Sequence, residues 1–162
     1  MEDFERVYNS ALRFLSYRPR SEKEVRDRLK LKVQSSKFKV EQDVIDKVIE
    51  KLKEKKFIND EEFAKWWMES RLRFKPRSLR LIKIELKQKG IDPELIDKTI
   101  NDEGLMINDS ENAKKLIQKK FERFKNLPKE KIYQKLGRFL ASKGFDWDTI
   151  KKSIDEMLDK GV

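Results

Sequence analysis

The chain has 162 residues, of which 43 % are charged and 37 % hydrophobic, with a net charge of +10 and a pI near 9.6. It has no cysteine, which excludes a disulfide frame and a thiolate metal site, and no histidine, which removes the commonest general base, pH switch and metal ligand together. Apolar periodicity argues against disorder, and no apolar run approaches the roughly 20 residues of a membrane helix.

In chain order, Phe4 to Leu15 reads as a helix with Val7, Ala11, Phe14 and Leu15 apolar, broken at Arg18-Pro19-Arg20-Ser21. Ser21 and Glu24 form a capping box opening a second helix with Val25 and Leu29 inward. Val33 to Lys39 is a polar connection. A third helix from about Glu41 to Lys55 turns Val44, Ile45, Val48, Ile49 and Leu52 to one side. Asn59 or Asp60 starts a fourth, with Phe63, Trp67, Ser70 and Phe74 on its apolar face, and Pro76 stops it. Ser78 caps a fifth, with Leu79, Ile82 and Leu86 buried and Gly90 as its left-handed end.

A helix from Pro93 carries Leu95, Ile96 and Ile100 to Gly104, and Ile107-Asn108-Asp109 then repeats Ile58-Asn59-Asp60. The next helix has Ala113, Leu116, Ile117, Lys120 and Phe124 inward and stops at Leu127-Pro128. Ile132 to Lys143, containing Gly137 as a candidate bend and capped by Gly144, is followed by Trp147 to Lys160 with Ile150, Ile154 and Leu158. No stretch sustains a strand period.

Three copies of one pattern align. Ala11, Ala64 and Ala113 correspond, as do Pro19, Pro76 and Pro128, then Leu29, Leu86 and Leu140, then Ile45, Ile96 and Ile150. The expected fold is all-α: three tandem three-helix repeats (1–56, 57–105 and 106–162) forming an elongated, curved body.

Charge repeats as well. Residues 71–90 hold eight basic side chains against Glu85 alone, net +7; residues 13–39 are also net +7 and 114–131 net +6, whereas 92–111 are net −6. Such blocks suit an acidic partner, with nucleic acid the first candidate. A lysine- and glutamate-rich surface of the thermophile kind explains abundant charge but not its concentration.

The candidate partner- and nucleic-acid-binding residues are Arg13, Arg18, Arg20, Trp66, Arg71, Arg73, Lys75, Arg77, Arg80, Lys83 and Lys87. The arginines favour fork-like contacts to phosphate or carboxylate. Trp67 aligns with Phe14 and Leu116 and is expected inside; Trp66 aligns with Arg13 and Lys115 and is expected outside, suited to base stacking or an interface anchor. No phosphate loop is present, and Asp60-Glu61-Glu62 reads as a capping first turn rather than a metal site, so neither catalysis nor a cofactor is expected.

The sequence resembles the RecX regulators of the RecA recombinase. The residues that carry this are Ala11-Leu12 with Leu15-Ser16 and Arg18-x-Arg20-Ser21, then Ile58-Asn59-Asp60-x-x-Phe63-Ala64, Arg71, and Glu85-Leu86-Lys87-x-Lys89-Gly90-Ile91. Lys56 departs from the pattern, standing where a glycine usually precedes the I-N-D motif. The resemblance implies a cytoplasmic monomer that lies along the groove of a RecA–DNA filament. It implies inhibition of the filament's ATP hydrolysis and strand exchange and promotion of its disassembly, in DNA repair, homologous recombination and the SOS response. Single- and double-stranded DNA would be bound weakly, and no membrane. An autonomous, sequence-non-specific DNA-binding protein with helix-turn-helix-like modules is the alternative, because three-helix units with a basic second helix permit it; the face of Arg80, Lys83 and Lys87 lacks the adenine-reading Asn or Gln apart from Gln88, which speaks against groove reading.

Overall fold

The computed structural model describes residues 2–35, 40–74, 76–102 and 108–160. Among them are nine α-helices and no strand: α1 (Glu2–Leu15), α2 (Glu22–Ser35), α3 (Gln42–Glu54), α4 (Asp60–Phe74), α5 (Leu79–Gln88), α6 (Pro93–Asp102), α7 (Asp109–Phe124), α8 (Lys129–Ser142) and α9 (Trp147–Lys160). The expected helix ends at Gly104 and the Ile107 of the repeated motif fall outside the described residues, as does Lys75. Helix α8 begins three residues before the expected Ile132. Pro128 supplies its N-cap position in an extended conformation, and the charged Lys129-Glu130-Lys131 forms an exposed first turn.

The aligned positions are the core positions. Ala11, Ala64 and Ala113 are fully buried, and so, to within 3 % exposure, are Leu29, Leu86, Leu140, Ile45, Ile96 and Ile150. A small residue at the alanine site lets the first helix of each repeat approach its neighbours closely, while the branched residues fill the space beside it.

The chain packs as two compact units, residues 1–67 with 86–100, and residues 68–85 with 101–162. In the first, Val7, Ala11, Val25, Leu29, Ile45, Val48, Ile49 and Leu52 form the core together with Ile58, from the loop before α4. In the second, α7 packs on both α8 and α9 around Ile117, Phe121, Ile132, Leu136, Phe145, Ile150 and Ile154. Phe121 takes the inward place expected of Lys120, which is half-buried with its ammonium 4.0 Å from the Phe139 ring. Helix α8 runs unbroken through Gly137, which is buried beside Ile150 and Trp147.

One joint is built twice. Asn59 and Asn108 cap their own helices, accepting from the amides of Glu62 and Glu111. The adjacent aspartate instead reaches the start of an earlier second helix: Asp60 accepts from the Glu22 amide at 2.8 Å in one unit, and Asp109 from the Leu79 amide at 3.1 Å in the other. The serine cap of that same helix meets the carbonyl before a positive-φ glycine. Ser21 donates its hydroxyl to the Lys89 carbonyl, next to Gly90 (φ 80°), and Ser78 donates its amide to the Lys143 carbonyl, next to Gly144 (φ 89°). A Cβ on Gly144 would lie 2.6 Å from Ser78 Oγ and 2.7 Å from Leu81 Cβ, so glycine serves both the turn and the close approach.

Candidate nucleic-acid and partner interface

Helix α4 brings three aromatic residues into the first unit. Phe63 is buried, and Trp66 and Trp67 are both half-buried, with ring centroids 6.0 and 5.8 Å from Phe63 and 6.2 Å from each other. The expected division, with Trp67 inside and Trp66 outside, is therefore not what forms. Residues 100° apart on one helix share a single boundary here, because Arg18 lies 5.8 Å from both indoles and covers them jointly.

Arg18 itself is held. Its guanidinium donates to both Glu24 oxygens, at 2.6 and 3.3 Å, and to the Pro19 carbonyl. Glu24 also receives Lys89 Nζ at 2.8 Å and the Ser21 amide at 3.0 Å, the latter completing the predicted capping box with the Ser21 hydroxyl. Burial pushes the Glu24 carboxyl upward, but hydrogen bonds from Arg18, Lys89 and Ser21 outweigh it, and the net shift is downward. Arg20 stacks 3.9 Å from the Phe14 ring and donates to the Phe14 carbonyl. Arg13 is exposed in the last turn of α1. Of the five candidates in this unit, Arg18, Arg20 and Trp66 thus belong to packed aromatic–guanidinium contacts.

The second unit contains the rest of the strip except Lys87, which is exposed on the last turn of α5. Glu85 is only 8 % exposed. Arg71 Nε donates to its Oε2 at 2.8 Å and Arg77 Nη1 to its Oε1 at 2.6 Å, so the two arginines bracket one carboxylate and tie the last turn of α4 to α5. Arg77, one of the candidate binding residues, thus has its guanidinium committed to a buried acid. Arg73 is exposed, with its guanidinium 5.6 Å from the Phe74 ring. Arg80 is exposed and Lys83 half-buried on α5; the Asp146 carboxyl is lowered chiefly by the Thr149 amide that donates to it at 2.8 Å, with Arg80 adding a smaller effect.

Phe74 is the other correction: expected in the core, it is 75 % exposed. The inward residue in this half of α4 is Met68, fully buried. A single stripe drawn through Phe63, Trp67, Ser70 and Phe74 presumes one core, whereas the two ends of α4 belong to different units. Among the described residues no three carboxylates gather to hold a metal ion, and no helix is long and apolar enough to cross a membrane. Asp60 and Asp109, at the head of their acidic first turns, are committed to backbone amides.

Three family models match along the chain: the RecX first three-helix domain over residues 8–52, the second over 59–100 and the third over 108–154. Proteins named regulatory protein RecX are similar over most of the chain. That of Clostridioides difficile strain 630 is 32 % identical, with 98 % of this chain and 71 % of the relative covered. That of Clostridium perfringens strain 13 is 39 % identical, with 91 % and 66 % covered, and that of Bacillus subtilis strain 168 is 31 % identical, with 96 % and 56 % covered. The chain therefore spans between about half and about seven tenths of the length of these relatives. A crystal structure of RecX from Lactobacillus salivarius superposes with a TM-score of 0.73 at 28 % identity, covering 98 % of this chain and 97 % of that one. A second crystal structure, of a regulatory protein RecX, gives a TM-score of 0.70 at 25 % identity, covering 94 % of this chain and 71 % of that one.

Proposed function

Because the chain belongs to the RecX family, we propose that it is a cytoplasmic, monomeric regulator that binds a RecA–DNA filament along its groove. Bound there, it slows ATP hydrolysis and strand exchange and promotes disassembly of the filament. The partner is the one that the resemblance to RecX regulators implies. What supports a particular surface is the fate of Glu85: the only acid between residues 71 and 90 is turned inward and bracketed by Arg71 and Arg77, leaving Arg73, Arg80 and Lys83 to present positive charge outward. Those three are the side chains we assign to an acidic groove or phosphate backbone. They steer association first, because exposed charge acts chiefly on the encounter rate.

The test is hydrolysis of ATP by a RecA filament, with and without the protein. Suppression by the wild type is expected. The Arg73→Glu/Arg80→Glu/Lys83→Glu variant is expected to melt normally and suppress little. Undiminished suppression by that variant removes the surface assignment; no suppression by the wild type removes the filament reading. In the latter case, DNA binding that weakens steeply with salt on any duplex sequence supports the alternative of an autonomous DNA-binding protein.

A further inference from the structure

Phe74 is a large apolar side chain left three-quarters exposed at the end of a helix, within the most basic stretch of the chain. The surrounding fold holds this end of α4 in place: Arg71, one turn back, is fixed to Glu85 at 2.8 Å, and Arg77, three residues on, is fixed to the same carboxylate at 2.6 Å. The ring therefore stands on an anchored helix end rather than on a loose tail. Its neighbour Arg73 places a guanidinium 5.6 Å from the ring centroid, and α5 adds the exposed Arg80 and the half-buried Lys83. Glu85, the acid of this stretch, is buried between Arg71 and Arg77.

We propose that Phe74 is a stacking platform for one unpaired nucleobase, with Arg73, Arg80 and Lys83 taking the flanking phosphates. An aromatic face accepts any base, and cations beside it follow the backbone, the combination by which single strands are held without sequence preference. A protein partner fits less well. The other large exposed apolar residue of this helix pair is Ile84, 40 % exposed on α5. Two isolated side chains fall far short of the roughly 800 Å² per partner of a stable protein interface. Double-stranded DNA keeps its bases stacked on one another and offers the ring nothing. The inference deepens the filament reading and rests on it for where a single strand is met, but its binding measurements need no recombinase.

Binding of an oligothymidylate and of an abasic strand of equal length would be measured for the wild type, Phe74→Ala and Phe74→Trp, with helical signal and melting recorded for each. Phe74→Ala is expected to bind oligothymidylate about tenfold more weakly, the change that a stacking loss of about 1.4 kcal/mol produces. It is expected to match the wild type on the abasic strand and to keep the slope of log affinity against log salt. Phe74→Trp is expected to bind at least as tightly as the wild type. Equal affinity of Phe74→Ala and wild type for oligothymidylate, or an equal loss on the abasic strand, overturns the platform. So does a Phe74→Ala protein that binds oligothymidylate normally yet fails to suppress ATP hydrolysis, since the ring would then serve a protein. If the wild type does not suppress hydrolysis but the base-dependent loss is seen, the filament reading falls and the platform stands.

Discussion

Arg77 and Arg80 lie three residues apart in the same basic stretch, yet their replacement has different consequences. Arg77→Ala removes a 2.6 Å charge-assisted hydrogen bond to a carboxylate that is 8 % exposed. Hydrogen bonds to charged groups contribute about 1.5–3 kcal/mol, and stripping a buried charge of its partner costs about 3–5 kcal/mol. Two facts place this case near the lower figure: Glu85 keeps Arg71, and the Arg71 and Arg77 side chains are themselves 22 % and 24 % exposed, so water reaches the site. The expected loss is about 2 kcal/mol, or about 4–8 °C in Tm for a chain of this size. Arg77→Glu faces Glu85 with a second carboxylate and is expected to cost about 3 kcal/mol or more. Arg80→Glu, on an exposed side chain, is expected to stay within about 0.5 kcal/mol of wild type. Urea denaturation is the suitable assay, because guanidinium chloride would screen the pairs being measured. If Arg77→Ala unfolds within about 0.5 kcal/mol of wild type, or Arg80→Glu costs as much as Arg77→Glu, the distinction between holding and presenting arginines is wrong.

Burial raises the carboxyl of Asp60, as it does that of Asp109, more than the accepted amide lowers it. A raised carboxyl binds its proton more tightly in the folded state, so stability falls as pH rises from about 4, the unfolded value, through the folded one. The Asp60→Asn/Asp109→Asn variant keeps an acceptor oxygen and loses the charge. Relative to wild type it is expected to gain stability in urea titrations as pH rises from about 4 through the folded-state value and to level off above it, and an unchanged difference across that range would count against the joint as described. Lys56 adopts φ 61°, a left-handed conformation that costs a residue with a Cβ about 1–2 kcal/mol. Lys56→Gly is expected to raise stability by about 0.5–1 kcal/mol after the added freedom of the unfolded glycine is subtracted, and a loss on the same assay would show that the lysine side chain contributes there.

The repeated Ala, Leu and Ile positions were legible because each is set by a local period and by a volume that fits the same place three times. The caps at Ser21, Ser78, Asn59 and Asn108 were legible for a similar reason, since a cap binds an amide two or three residues away. Contacts across distant parts of the chain were not. Nothing in the sequence marks Glu85 as inward-facing; a lone acid among eight bases reads as surface until Arg71 and Arg77 are seen on its two oxygens. Nor does periodicity show that α4 divides between two cores, which is why Met68 was passed over and Phe74 misplaced. Trp66 and Trp67 escaped for a related reason, as the group covering both of them, Arg18, comes from the connection after α1.

The doubled joint bears on how the molecule can be dissected. A fragment cut at the sequence period, residues 1–56, would lose Ile58 from its core and Asp60 from the head of α2, exposing apolar surface and orphaning the Glu22 amide. Ending a fragment before residue 108 would do the same to the Leu79 amide. The length of chain that recurs is thus shorter than the length that satisfies its own hydrogen bonds. Deletion of the middle period, residues 57–105, would take chain from both compact units at once, so the middle repeat is not a piece that can be lost alone.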